Sequence, residues 1–262
     1  MQRLNLVNMK KKDLLIQRLD QIAASLAATG QGLALLGLGS AGSEVERMDD
    51  YSDLDFFAIV RDGQKQAFLQ NLDWLANIEP IAYAFMNTVD GFKVLYADEI
   101  FLEFAVFETA ELQGIPFASE KIIWQDDAFD VTILQPTIKE AQAIDVAWAL
   151  GEALTNLYVG MGRYQRGEKM SAFRFVQGYA LDRVLDLATL LEEEQPAFKD
   201  QFSHDRRFEQ RFPQTAVSLP QLAQGYDKTP QSARAIIKFL DAHFDINQVI
   251  KKATLQLVEE SE

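Results

Sequence analysis

Short apolar runs recur through the first half of the chain at lengths typical of β-strands. The stretch 65–77, which lies between two of these runs, has a helical pattern instead. Apolar runs of this length bounded by turn residues predict buried strands, and strands mixed with helices predict an α/β (α+β) sheet. The predicted strands are 33–38, 54–60, 81–86, 92–96, 100–107 and 121–124.

The pattern changes near residue 135, after which helical spacing dominates. Thr137 to Glu140 has the form of a capping box, and Thr229 followed by Pro230 predicts the start of a later helix. We therefore predict a sheet domain over residues 1–135 and a helical domain over 136–262. The first two apolar stripes of the helical domain are Ile144, Trp148, Gly151, Leu154 and Tyr158, and then Phe173, Val176, Ala180, Val184, Leu187 and Leu191, before Pro196.

Two polar motifs interrupt the apolar runs of the first half. One run ends in Gly39-Ser40, and the next is opened by Asp53 and Asp55. Alternate residues of a strand point to the same face, so these two carboxylates converge on one point. They repel each other unless a cation lies between them, and hard oxygen ligands favour Mg²⁺ or Mn²⁺. At the Gly-Ser turn, the glycine lets the backbone approach a phosphate closely, and Ser40 offers it a hydroxyl.

A Gly-Ser turn, a spacer and an Asp-x-Asp pair in this order resemble the nucleotidyltransferase superfamily. The block from Tyr51 to Asp55 is similar to that of lincosamide and aminoglycoside antibiotic nucleotidyltransferases. The motif resemblance covers residues 35–60 well and 95–108 more loosely. It implies a nucleotidyltransferase-fold mixed sheet followed by a helical bundle that binds the acceptor. It also implies ATP or another NTP as substrate and nucleotide contacts from Gly39, Ser40 and Ser43.

The chain departs from the superfamily pattern directly after the Gly-Ser turn. Many members have an Arg-Gly step there, whereas this chain has Ala41, Gly42 and Ser43, and its spacer before Asp53 is slightly long. This departure affects the expected phosphate contacts more than the expected metal site.

The superfamily resemblance implies a third carboxylate on a later strand, and Glu103 supplies one. It interrupts the apolar run 100–107, where a carboxylate is costly unless it is paired or hydrogen-bonded. Asp53, Asp55 and Glu103 are therefore the expected catalytic and metal-binding residues. Glu103 is either a further metal ligand or the base that deprotonates the acceptor hydroxyl, and a solvated strand face is the alternative to both.

A turn in the helical half carries charged residues that could serve the same reaction. Arg163 and Arg166 could neutralise a triphosphate, and Glu168 could position or deprotonate an acceptor hydroxyl. A basic helix C-terminus followed by a surface ion pair explains the same residues without any function.

Composition narrows the class of partner. The 262 residues carry a net charge of −14 and no cysteine, and the histidines number two. The charge opposes binding to nucleic acid and to anionic membranes, and the absence of cysteine excludes a disulfide framework and a Cys-ligated zinc. No stretch approaches the length of a membrane span, so a cytoplasmic protein is expected.

Together these features predict a metal-dependent nucleotidyltransferase that adenylylates, or otherwise nucleotidylates, a hydroxyl of a small molecule. Antibiotic hydroxyls are the acceptors that the resemblance implies, and a housekeeping metabolite or a protein side chain is not excluded. The alternatives are a phosphotransferase and a non-catalytic nucleotide sensor or antitoxin-like protein of the same fold. The sequence leaves the acceptor, the preferred NTP and the oligomeric state open, a dimer included.

Overall fold

The structure is a computed structural model, and it describes residues 10–42, 44–114, 121–134, 144–197 and 205–261. Contacts divide the chain into two compact units, Met1–Glu140 and Ala141–Glu262. The predicted domain boundary at 135 and the capping box from Thr137 to Glu140 lie outside the described residues.

The first unit is a six-stranded mixed sheet with helices. Its strands lie in the order β3-β4-β5-β2-β1-β6, and the pairing of β2 with β5 is parallel while the other pairings are antiparallel. The helices are α1 (Lys11–Ala28), α2 (Lys65–Gln70) and α3 (Asp73–Ala76). The strands are β1 (Gly32–Gly37), β2 (Leu54–Val60), β3 (Ile81–Thr88), β4 (Gly91–Tyr96), β5 (Phe101–Glu108) and β6 (Lys121–Gln125).

One face of this sheet packs on α1 and forms the larger core of the unit. Leucine and isoleucine side chains of α1 at positions 15, 19, 22 and 26 contact the alternate apolar residues of β2 and β5. Phe56 of β2 stacks on Phe104 of β5 with ring centroids 5.2 Å apart. A fully buried aromatic or aliphatic side chain contributes about 1.5–3 kcal/mol, so this face fixes which strand residues point inward.

All six predicted strands are confirmed, with ends that differ by no more than about two residues, as expected for element boundaries. The single helix predicted over 65–77 is wrong, because the chain forms α2 and α3 with a break between them. Asn71 at the break is extended, and its side-chain oxygen accepts a hydrogen bond from the Asp73 N–H at 2.8 Å. Asparagine favours such local bonds over helical continuation.

The second unit is helical, as predicted. Its described helices are α4 (Val146–Gln165), α5 (Lys169–Arg174), α6 (Leu181–Leu187), α7 (Phe208–Arg211), α8 (Pro213–Ala216), α9 (Leu219–Leu222), α10 (Thr229–His243) and α11 (Gln248–Glu259). Residues Phe175–Ala180 between α5 and α6 form a π-helical segment. None of the helices in the described parts of the chain is both long and apolar enough to cross a membrane.

The apolar face predicted for α4 is wrong in part. Trp148 and Tyr158 are 54% and 44% exposed, whereas Leu154 is buried. The buried face combines Leu154, Leu157 and Met161 with small residues, and at Gly160 an added Cβ would lie 2.9 Å from the Cβ of Phe175. Small residues let neighbouring helices approach closely, and a search for large apolar side chains overlooks them.

The other two helical predictions are confirmed with small changes. In the second stripe, Val176, Ala180, Val184 and Leu187 are all fully buried, although helical structure ends at Leu190, well before Pro196. The later helix α10 begins at Thr229 itself rather than after it, so proline occupies its first turn, where the missing N–H costs nothing.

Gly37 at the end of β1 allows the chain to fold back sharply. An added Cβ at this position would lie 2.1 Å from the Ala41 carbonyl oxygen, which is a backbone atom and cannot move without moving the turn.

We expect Gly37→Ala to lower the free energy of unfolding by about 1–3 kcal/mol. The control is Gly151→Ala in α4, where an added Cβ meets nothing within 4 Å, and where alanine should instead stabilise by about 0.5–1 kcal/mol. Chemical denaturation of both variants measures the difference, and equal stabilities would contradict this account of Gly37.

Candidate active site

The Gly-Ser turn and the Asp-x-Asp strand are joined directly by the backbone. The Leu38 N–H donates to the Asp55 carbonyl at 2.8 Å, and β1 runs antiparallel to β2 with Gly37 opposite Phe56. Strand pairing therefore brings the segment that follows β1 to the end of β2 where the two aspartates lie.

Asp55 lies on the face of the sheet opposite the α1 core, and Asp53 lies two residues earlier, just before β2 begins. Leu54 and Phe56 are fully buried, while the two aspartates are half-buried. The loop that leads to them is held by a local turn, in which the Asp49 carboxylate accepts a hydrogen bond from the Tyr51 N–H at 2.8 Å. That both carboxylates point to one side stays a prediction, because strand alternation applies to Asp55 but Asp53 precedes β2.

Glu103 lies next to Asp55 on the same face. In the parallel pairing of β2 with β5, Asp55 is opposite Glu103, and in the antiparallel pairing of β4 with β5, Lys93 is opposite Glu103. Residues directly opposite on neighbouring strands point to the same face and lie about 5 Å apart at their Cα atoms. Lys93, Glu103 and Asp55 therefore form a row across three strands, with the glutamate in the middle.

The Glu103 carboxylate is engaged by partners from β3 and β4. The Lys93 Nζ lies 3.1 Å from its Oε2, and the Asn87 Nδ2 donates to its Oε1 at 3.1 Å. The side chains of Lys93 and Glu103 are 40% and 41% exposed, so the pair contributes no more than about 1 kcal/mol to stability. Its importance is geometric, because both partners lie on the side of β5 away from Asp55.

A divalent cation fits the two aspartates better than it fits all three carboxylates. Asp55 at the start of β2 and Asp53 just before it provide hard oxygen donors two residues apart. Within the described residues, however, no three His, Cys, Asp or Glu side chains form a group that could hold a metal ion. The contacts with Asn87 and Lys93 hold the Glu103 carboxylate on the side of β5 away from Asp55.

The turn after β1 is tighter than the sequence indicated. Gly39–Ala41 form a single 3₁₀ turn, so the described part of this segment does not begin an α-helix after Ser40. Gly39 has a φ of +50°, a conformation that glycine adopts without strain. Ser40 is only 3% exposed, so its hydroxyl is covered in this arrangement, and Ser43 lies outside the described residues.

Arg47 is a residue of the site that the sequence interpretation missed. It belongs to a second 3₁₀ turn, Val45–Arg47, and its guanidinium lies against the Gly-Ser turn, since an added Cβ at Gly39 would be 2.8 Å from the Arg47 Nη2. Its Nε pairs with the Glu44 carboxylate, and its side chain is 18% exposed. An arginine beside a glycine turn is suited to binding a phosphate group. The sequence feature that could have identified Arg47 is its position shortly after the unusual Ala41-Gly42-Ser43 step.

The charged turn of the second unit has mainly structural contacts. The Arg163 guanidinium lies 4.0 Å from the centre of the Phe175 ring and donates to the Ser171 hydroxyl at 2.5 Å. Arg166 and Glu168 form an exposed ion pair of 3.0 Å across Gly167, which has a φ of +78°. These contacts match the structural interpretation of this turn, and none of them tests a role in acceptor binding.

Comparison with known proteins finds distant likeness among solved structures. The chain matches no family model and no curated protein sequence. An aminoglycoside 6-adenyltransferase from Bacillus subtilis matches over 94% of this chain and 90% of its own, with 13% identity and a TM-score of 0.34. The CD-NTase CdnG of Bradyrhizobium diazoefficiens, in complex with GTP, matches over 95% and 99%, with 14% identity and a TM-score of 0.25.

Both TM-scores lie below 0.5, so the likeness assigns neither an activity nor a substrate to this chain.

Proposed function

We propose that this chain is a metal-dependent nucleotidyltransferase that transfers a nucleoside monophosphate from ATP, or from another NTP, to a hydroxyl of a small molecule. The observation that carries the proposal is the hydrogen bond from the Leu38 N–H to the Asp55 carbonyl, which joins the Gly-Ser turn to the Asp-x-Asp strand. A phosphate-binding turn and a pair of carboxylates at one end of paired strands are what a metal–triphosphate complex requires.

Each residue of the site has a distinct proposed role. Asp53 and Asp55 would hold Mg²⁺ or Mn²⁺, and the backbone at Gly39 and the guanidinium of Arg47 would contact the phosphates. The bound ion would neutralise charge on the attacked α-phosphate and on the leaving pyrophosphate. Ser40 and Ser43 remain proposed nucleotide contacts, with Ser40 becoming accessible only if the turn opens.

The proposed transfer forms one bond and breaks another at the same phosphorus. The acceptor oxygen attacks the α-phosphorus, the bond from this phosphorus to the bridging oxygen of the β-phosphate breaks, and pyrophosphate leaves. The acceptor proton passes to a carboxylate, for which Glu103 is the first candidate. Positioning and electrostatics supply most of the rate enhancement in such reactions.

The helical unit Ala141–Glu262 is proposed to select the acceptor. This proposal follows from the lack of any phosphate or metal motif in that half of the sequence. An antibiotic hydroxyl is one candidate acceptor, and a cationic antibiotic would suit the net charge of −14.

A non-catalytic nucleotide sensor is the second candidate, and one observation favours it. Glu103 is bonded to Lys93 and Asn87 rather than grouped with the aspartates.

Incubation with ATP, Mg²⁺ and a panel of hydroxylated antibiotics and metabolites distinguishes the candidate functions. Pyrophosphate release indicates nucleotidyl transfer, ADP indicates phosphotransfer, and nucleotide binding without either product indicates a sensor.

Neutralising either aspartate should abolish the metal–nucleotide site. We expect Asp53→Asn and Asp55→Asn to weaken MgATP binding by at least about 10-fold, since the loss of a charged ligand contact costs about 1.5–3 kcal/mol. Isothermal titration calorimetry measures the affinity. Asp50→Asn removes the same charge from the exposed preceding loop and should bind MgATP as the wild type does. Wild-type affinity for MgATP in both Asp53→Asn and Asp55→Asn would contradict the proposed metal site.

Replacing Arg47 should weaken binding of the triphosphate more than binding of the nucleoside. We expect Arg47→Gln to lower ATP affinity by about 10–100-fold and to leave adenosine affinity unchanged, because the guanidinium is proposed to contact phosphate alone. Arg61→Gln is the matched control, since Arg61 lies just beyond the other end of β2 and pairs with Asp126 at 3.3 Å. An equal loss for ATP and adenosine would show that Arg47 acts through folding instead.

The two candidate bases can be ranked by turnover. If Glu103 accepts the proton, Glu103→Gln should reduce kcat by about 10²–10⁴-fold while MgATP still binds, which is the usual contribution of a general base. Glu168→Gln should then have little effect, because Glu168 is an exposed partner of Arg166. The assay is pyrophosphate release with an accepted substrate. The reverse ranking would transfer the role to Glu168.

A further inference from the structure

We infer that Glu103 is not a ligand of the divalent cation, and that Lys93 and Asn87 are positioning residues that hold its carboxylate away from Asp53 and Asp55. This inference rests on the proposed function and assigns the cation to the two aspartates alone. It also assigns roles to two residues of β3 and β4 that neither motif includes.

The first step of the argument is strand order. From one edge of the sheet inward, the strands run β3, β4, β5 and β2. Lys93 on β4 and Asn87 on β3 therefore lie on one side of Glu103, and Asp55 on β2 lies on the other side. Because the Glu103 side chain is bonded to Lys93 and Asn87, it is drawn away from Asp55.

The second step is the use of both carboxylate oxygens. Oε2 of Glu103 faces the Lys93 ammonium at 3.1 Å, and Oε1 accepts from the Asn87 amide at 3.1 Å. An ionised carboxylate has about four lone-pair sites, so these two contacts leave some acceptor capacity, but they hold the group on the side of Lys93 and Asn87. Among the residues that the structure describes, no group of three His, Cys, Asp or Glu side chains converges as a metal site, which agrees with this arrangement.

The third step is charge. Lys93 lies directly opposite Glu103 in the β4–β5 ladder, so a dication bound to Glu103 would lie close to a fixed monocation. A dication bound at Asp53 and Asp55 instead leaves the glutamate between two positive charges, one on each side.

Mn²⁺ binding tests the inference without any need for turnover. The full chain is titrated with Mn²⁺ in the presence of a non-hydrolysable ATP analogue, and bound metal is followed by electron paramagnetic resonance. Asp55→Asn should lose more than about tenfold in Mn²⁺ affinity. Glu103→Gln, which keeps the side-chain shape, should retain the wild-type affinity. Circular dichroism and thermal melts establish that each variant is folded.

Releasing Glu103 tests the positioning role. Lys93→Met and Asn87→Ala should each raise Mn²⁺ affinity, because the freed carboxylate can reach the cation, and the increase should disappear when Glu103→Gln is added. Lys93→Arg should behave as the wild type does. Lys251→Met is the matched control for the general effect of removing a positive charge, since Lys251 pairs with Asp241 at 2.5 Å in the other unit.

The outcomes distinguish this inference from the proposed function. If Glu103→Gln weakens Mn²⁺ binding as strongly as Asp55→Asn does, Glu103 is a ligand and the inference is overturned while the metal site stands. If Lys93→Met and Asn87→Ala raise the affinity no more than Lys251→Met does, the positioning role is overturned. If the wild type binds no Mn²⁺ with the nucleotide analogue, the proposed metal site and this inference both fail.

Discussion

Parallel hydrogen bonding between β2 and β5 joins the two strands that carry the acidic residues, and the arrangement of the site follows from its register. On the buried side, Phe56 stacks on Phe104 over α1. On the other side, the same register sets Asp55 opposite Glu103. A shift of one residue in this pairing would turn the aromatic side chains outward and the acidic ones inward, so the core that stabilises the sheet also determines the alignment of the carboxylates.

The open face of the sheet changes character along β2 and β5. Phe57 and Ala105 pack against an apolar cluster that includes Phe107 and Phe129, whereas Asp55 and Glu103 lie two residues earlier on the same face, where the side chains are half-exposed. Full burial of an unpaired carboxylate is costly, and full exposure would leave a bound ion strongly hydrated. Charged side chains can therefore be accommodated, and held in a fixed direction, at the border between the apolar cluster and solvent.

The strands and the two motifs could be predicted because their signals are local. Apolar runs mark the strands, and the alternation that begins at Leu54 sets the face on which Asp55 lies. The partners of Glu103 could not be predicted, since Lys93 and Asn87 reach it only through the register of β3, β4 and β5, including a bulge between Met86 and Thr88. Arg47 was missed for a related reason, because its contact with Gly39 depends on the path of a loop rather than on a periodic pattern.

Local charge, rather than the net charge of −14, determines how this site would meet a triphosphate. Exposed charges separated by more than about 8 Å are largely screened at physiological ionic strength. Among the described residues near the two motifs, the cations of Arg47 and Lys93 each already face a carboxylate, that of Glu44 and that of Glu103. If the proposed function holds, nucleotide binding should require a divalent ion to enter with the triphosphate, since both of these described cations already face a carboxylate.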